Sequence, residues 1–262
     1  GMELDDAYAN GAYIEGAADY PPRWAASAED FRNSLQDRAR LNLSYGEGDR
    51  HKFDLFLPEG TPVGLFVFVH GGYWMAFDKS SWSHLAVGAL SKGWAVAMPS
   101  YELCPEVRIS EITQQISQAV TAAAKEIDGP IVLAGHSAGG HLVARMLDPE
   151  VLPEAVGARI RNVVPISPLS DLRPLLRTSM NEKFKMDADA AIAESPVEMQ
   201  NRYDAKVTVW VGGAERPAFL DQAIWLVEAW DADHVIAFEK HHFNVIEPLA
   251  DPESDLVAVI TA

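Results

Sequence analysis

The chain has 262 residues, 48% hydrophobic and 23% charged, the balance of a soluble globular protein long enough to bury one large core. Its formal charge of −17 argues against binding nucleic acid or an anionic membrane, since a surface that acidic repels both. A single cysteine, Cys104, excludes an internal disulfide and fits a reducing, cytoplasmic setting. No apolar stretch has membrane-spanning length, and no basic start followed by an apolar core suggests a signal peptide.

Residues 2 to about 45 are rich in Tyr, Trp, Asp and Ala and read as an N-terminal arm over the active site. From residue 46 onward, short apolar runs alternate with helical patterns. Strands are predicted at 52–57, 65–70, 95–98, 131–135, 163–167, 207–211 and 235–238, several of them apolar without alternation, as in parallel strands buried on both faces. Helices are predicted at 80–92, 110–127, 141–147 and 218–230. The second carries Ile109, Ile112, Ile116, Ala119, Ala123 and Ile127 on one face and stops at Asp128-Gly129-Pro130. The alternation specifies an α/β fold with a mostly parallel sheet flanked by helices. Catalytic groups then belong at the carboxyl ends of the strands. Residues 170–203, with Met180, Phe184, Met186 and Met199, are too long for a plain connection and are expected to form a cap over the active site.

Gly135-His136-Ser137-Ala138-Gly139 is a G-x-S-x-G motif, preceded by the run Ile131 to Ala134 and followed by a helix pattern. Small flanking residues permit the strained strand-to-helix turn that thrusts a serine hydroxyl toward a base. Ser137 is therefore the candidate nucleophile. Cys104, in Leu103-Cys104-Pro105, lacks such an elbow and reads as a small buried side chain.

A serine nucleophile needs a base, a group to orient it, and donors for the oxyanion, in the chain order Ser, acid, His. His141 lies too close on the elbow helix and reads as packing. His241 and His242 follow the last strand; His242 is the favoured base because Phe243, Val245 and Ile246 can anchor its loop, with His241 as the alternative. The strand 207–211 runs into Gly212-Gly213-Ala214-Glu215, which makes Glu215 the favoured acid ahead of Asp171 and Asp221. The glycines of His70-Gly71-Gly72-Tyr73-Trp74 let backbone N–H groups approach a reacting carbonyl, so the Gly71, Gly72 and Ala138 amides are the expected oxyanion hole. His70 is expected to brace that loop. No H-E-x-x-H spacing and no phosphate-binding glycine pattern occurs, so neither metal nor cofactor is called for.

Over roughly residues 40–262 the chain resembles the α/β-hydrolase superfamily, in its esterase/lipase branch with a His-Gly-Gly oxyanion loop. More narrowly it resembles bacterial arylformamidases (kynurenine formamidases), through His70 to Trp74, Tyr101 to Arg108, Gly135 to Leu142, Ser179 to Glu182, Ser195-Pro196 and His242-Phe243. The resemblance implies a Ser–acid–His triad and hydrolysis of N-formylkynurenine to kynurenine and formate. That family commonly uses aspartate as the acid, where this chain offers Glu215. A short-chain carboxylesterase shares every one of these residues, and a non-catalytic binding protein on the same fold is the third reading. The partner is thus a small acyl ester or formamide, and a homo-oligomer is left open. Tyr73 and Trp74, beside the oxyanion glycines, are candidates to stack on an aryl leaving group. For the carboxylate of an amino-acid substrate, Arg108, Arg177 and Lys183 are available.

Overall fold

A computed structural model describes all 262 residues. Eight strands form one sheet: β1 (Ala39–Ser44), β2 (Lys52–Phe56), β3 (Leu65–Val69), β4 (Ala95–Pro99), β5 (Ile131–His136), β6 (Ile160–Ile166), β7 (Lys206–Gly212) and β8 (Asp233–Ala237). Their order is β1-β2-β4-β3-β5-β6-β7-β8. β2 runs antiparallel to both β1 and β4, and β3 through β8 pair in parallel.

Parallel strands covered on both faces need apolar side chains on both, and the middle of the sheet meets that demand. In β3 and β5, Val67 and Leu133 point into one apolar layer, while Phe66, Phe68, Val132 and Ala134 point into the other. The helices that cover these layers are α1 (Tyr20–Leu35), α2 (Val87–Ser91), α3 (Ile109–Glu126), α4 (Ala138–Arg145), α5 (Glu154–Gly157), α6 (Asn181–Phe184), α7 (Ala188–Ala193), α8 (Pro217–Trp230) and α9 (Asp255–Ile260). α3 buries Ile109, Ile112, Ile116, Ala119 and Ala123, the stripe its spacing specifies. No helix is long and apolar enough to cross a membrane.

The arm differs from the expectation at both ends of its second half. Residues 39–44 are not arm but the outer strand β1, so the arm ends at Arg38. β1 is the outer strand and leaves Arg40, Leu41, Asn42 and Ser44 exposed, and it therefore lacks the continuous apolar run that marks its neighbours. Within the arm, residues 20–35 form α1, which lays Trp24, Ala28 and Leu35 on the domain. The helix expected at 80–92 is broken into two 3-10 turns, Lys79–Ser81 and Ser83–Ala86, before α2.

Candidate active site

The functional side chains gather where the parallel strands end. β5 stops at His136, and the chain turns at Ser137 with φ 61° and ψ −114° before entering α4. An L-residue holds that backbone only when its surroundings enforce it. Here the enforcement is a very close crossing: a Cβ on Gly139 would sit 1.9 Å from the Val69 carbonyl oxygen, and one on Gly135 would sit 2.1 Å from that of Gly139. Both motif glycines are thus required by contact between β3, β5 and the start of α4. The Ser137 N–H is tied to the Ile166 carbonyl at 2.9 Å.

The turn delivers Ser137 Oγ to 3.0 Å from His242 Nε2. On the other side of the ring, His242 Nδ1 lies 2.6 Å from Glu215 Oε1. The second carboxylate oxygen, Oε2, accepts the Gly212 N–H at 2.7 Å and the Ser167 hydroxyl. Occupying Oε2 in this way leaves Oε1 for the imidazole. The acid loop and the histidine loop are stitched directly together, Gly213 N–H donating to the Ala237 carbonyl at 2.8 Å and Ala214 N–H to that of Lys240 at 2.9 Å. The length of glutamate therefore suits a loop that reaches the histidine across two adjacent strand ends. The imidazole packs against Phe219, ring centroids 4.3 Å apart.

His136 supplies a tether. Its Nε2 donates to the His242 carbonyl at 2.8 Å, and burial, then the neighbouring His242, hold its pKa well below the ordinary histidine value, so it stays neutral. His70 braces the glycine loop as expected: its Nδ1 donates to the Gly71 carbonyl at 2.7 Å, and burial pushes its pKa down to about 4. The loop lies directly over the elbow, since a Cβ on Gly71 would come within 2.6 Å of the His136 carbonyl oxygen. The Gly71 and Gly72 N–H groups donate to no acceptor in the chain. Ala138 occupies the first position of α4, where helix N–H groups lack an internal partner. Gly71, Gly72 and Ser137 line one cavity of about 550 Å³.

Several expected residues stand elsewhere. Trp74 is 0% exposed and does not line the cavity; its N–H donates to His141 Nδ1 at 3.2 Å, while Phe184 packs edge-on against it. It is therefore not a substrate contact, whereas Tyr73 does line the cavity. His141 is a packing residue, its Nε2 donating to the Glu194 carbonyl at 2.8 Å. His241 faces away from Ser137: its Nδ1 accepts the Phe243 N–H at 3.1 Å and its Nε2 meets Tyr20 Oη at 3.1 Å. Asp171 is engaged with Arg173 at 2.9 Å, and Asp221 is an exposed residue of α8. Cys104 is buried, its thiol pushed up to about 12 by desolvation. Of the 170–203 insertion, only Ser179 and Met180 line the cavity. The rest of its wall on that side comes from the arm, with Tyr8, Asn10 and Trp24.

A serine held at a strand-to-helix turn, facing a histidine and a carboxylate from two later strand ends, matches a known protein family. Residues 66–232 match the family model described as the alpha/beta hydrolase fold. The chain belongs to this hydrolase family. The hydrolase is 30% identical to a kynurenine formamidase of Danio rerio over 261 residues, covering 88% of this chain and 89% of that one. It is 29% identical to a kynurenine formamidase of Salmo salar, covering 84% and 80%. Among solved structures, it superimposes on an esterase from Pyrobaculum calidifontis with a TM-score of 0.70 at 18% identity, covering 92% of this chain and 90% of that one, a likeness of fold.

Two functional neighbours escaped the sequence. Ser167 carries no motif, and its only signal is its position at the end of β6, one strand before the acid. His136 is a variable position of G-x-S-x-G, and nothing local reveals that its ring reaches a loop 106 residues away.

Proposed function

We propose that this protein is a serine-dependent arylformamidase that hydrolyses N-formylkynurenine to kynurenine and formate. The observation that carries this reading is the Ser137–His242–Glu215 hydrogen-bonded chain opening into an aromatic-walled cavity. Similarity to kynurenine formamidases along most of the chain supports the choice of substrate.

In this mechanism His242 Nε2 takes the Ser137 proton as Oγ attacks the formyl carbon. Glu215 holds the imidazole in the required orientation and balances the imidazolium. The Gly72 and Ala138 amides, with Gly71 beside them, receive the developing oxyanion; removing one such donor typically costs about 10² to 10³ in rate. His242 returns its proton to the aryl nitrogen as the C–N bond breaks. Water then attacks the formyl-serine ester by the same route, releasing formate and restoring Ser137. No step needs a metal or cofactor.

The test compares kcat/KM for N-formylkynurenine and p-nitrophenyl acetate in the protein and in Ser137→Ala. A formamidase turns over the formamide far faster, and the variant loses both activities while keeping its fold. Turnover of the ester alone makes the protein a short-chain carboxylesterase. Activity retained in Ser137→Ala sinks the serine mechanism.

A further inference from the structure

His141 is fully buried and takes no part in the proton transfers, yet it carries hydrogen bonds in three directions. Its backbone N–H donates to the Ser137 carbonyl at 3.1 Å, on the helix α4 that begins just after the nucleophile. Its ring Nε2 lies 2.8 Å from the Glu194 carbonyl, and a carbonyl only accepts, so Nε2 holds the ring proton. Nδ1 is then an acceptor, and it takes the Trp74 indole N–H at 3.2 Å. Burial disfavours a second proton on the ring, which keeps that acceptor open to the indole. The far anchor is itself held: the Glu194 carboxylate accepts the Thr113 hydroxyl at 2.5 Å and Arg145 Nε at 3.4 Å, both buried.

The indole that His141 grips belongs to the segment carrying the oxyanion glycines. Its backbone runs through φ 111°, 51° and 58° at Gly72, Tyr73 and Trp74. Two successive L-residues in the left-handed region are held there only where their surroundings over-determine the path. The Met75 and Ala76 N–H groups close the turn on the Gly72 carbonyl at 2.9 and 3.1 Å, which shapes the turn without tying it to the elbow. The Cys104 N–H fixes the Trp74 carbonyl at 2.8 Å, and Tyr73 Oη donates to the Tyr8 carbonyl of the arm. Of these side-chain and backbone ties, the one from Trp74 to His141 reaches the nucleophile's own helix. Oxyanion donors act by being aimed before charge develops, so a group that fixes their aim acts on rate more than on substrate binding.

We infer that His141 is a positioning residue of the oxyanion hole: through Trp74 it ties the Gly71–Gly72 loop to the helix that starts at Ser137. The role goes beyond packing, because it sets the direction of two amides that His141 never touches. The inference rests on the serine mechanism proposed above and adds which residue aligns its oxyanion donors with its nucleophile.

Steady-state kinetics on the full chain test it, with p-nitrophenyl acetate as substrate and a matched pair of ketone inhibitors. Trifluoroacetophenone accepts Ser137 Oγ at its carbonyl carbon: a C–O bond forms, the serine proton passes to His242, and the carbonyl oxygen becomes an alkoxide in the hole. Acetophenone has nearly the same shape and binds without that charge. His141→Gln keeps a donor toward Glu194 and loses the acceptor at Nδ1, whereas His141→Asn keeps an acceptor at the Nδ1 position and loses the donor. Each removes one buried hydrogen bond, so both should lower Tm to a similar extent. His141→Gln and Trp74→Phe should each lower kcat roughly tenfold, less than the ~10² to 10³ lost when a donor is removed outright, with KM little changed. Both should weaken trifluoroacetophenone by the same factor as kcat and leave acetophenone unaffected, while His141→Asn retains most of kcat. Combining His141→Gln with Trp74→Phe should cost no more than the worse single change, since both break one bond. Equal kcat losses in His141→Asn and His141→Gln, equal weakening of the two ketones, or additive losses in the double variant overturn the inference. Trp74→Phe carries the same ketone comparison if His141→Gln does not fold. Because an ester is the substrate, the result stands whether or not the formamide is hydrolysed; hydrolysis persisting in Ser137→Ala is a separate failure, that of the serine mechanism itself.

Discussion

Ser167→Ala isolates the contribution of a residue that touches neither substrate nor imidazole. Its hydroxyl donates to Glu215 Oε2, the oxygen that also accepts the Gly212 N–H at 2.7 Å. Removing the hydroxyl leaves that oxygen one donor, so the carboxylate can rotate and share Oε1 between His242 and Gly212. A hydrogen bond to a charged group contributes about 1.5 to 3 kcal/mol. Because Gly212 remains, only the lower end of that range should reach the transition state, about a tenfold loss. Both Ser167 and its replacement sit at φ 49°, so the substitution adds little backbone strain of its own. The assay is kcat and KM for N-formylkynurenine and p-nitrophenyl acetate, with Glu215→Gln alongside. The expected pattern is a loss in kcat for both substrates, and a much larger loss in Glu215→Gln. An unchanged kcat in Ser167→Ala, or a loss confined to KM, refutes the argument that Ser167 fixes the carboxylate.

Trp74→Phe leaves His141 Nδ1 without its donor inside a fully buried site, and should destabilise the protein by about 1 to 3 kcal/mol; an unchanged Tm removes this anchor from the account. Arg216 donates to the carbonyls of Asp6 at 2.8 Å and Ala9 at 3.2 Å and lies 3.4 Å from the Tyr13 ring centroid, pinning the arm. Arg216→Ala should raise KM roughly three- to tenfold with a smaller change in kcat, and an equal fall in kcat would instead implicate the adjacent Glu215. Stability should fall on acidification. His141, with its pKa pushed down to about 3 by burial, stays neutral in the fold while the unfolded chain takes up a proton near 6.5. Its contribution is therefore intact above about 6.5 and declines as pH drops, by about 2 kcal/mol at pH 5. Urea denaturation at pH 7 and pH 5 should show a smaller difference in His141→Gln than in the parent, and equal differences would show that His141 is not the titrating group.

Much of the Ser137–His242–Glu215 geometry was legible because it depends on local features of the chain. G-x-S-x-G bounded by a strand and a helix names Ser137, since only small residues survive where a Cβ would lie 1.9 Å from a carbonyl oxygen. The chain order of strands predicts that Glu215 and His242 emerge at neighbouring strand ends, and those side chains lie 2.6 Å apart. The central strands announced themselves by apolar runs, and α3 by its stripe of isoleucines and alanines. β1 did not, because an outer strand that leaves Arg40, Leu41, Asn42 and Ser44 exposed needs few apolar residues.

What only tertiary structure decided is which surfaces face each other. Tyr73 and Trp74 are adjacent in sequence, yet one lines the cavity and the other is sealed against His141 and Phe184, because the loop backbone turns between them at φ 51° and 58°. The same limit applies to Ser167 and His136, whose partners lie 48 and 106 residues away. It also explains the wall over Ser137, contributed more by the arm than by the 170–203 insertion. Sequence pattern reports periodicity and local backbone strain, which specify elements and their order. The packing of those elements against one another sets the distances, and with them the chemistry at the far side of the cavity.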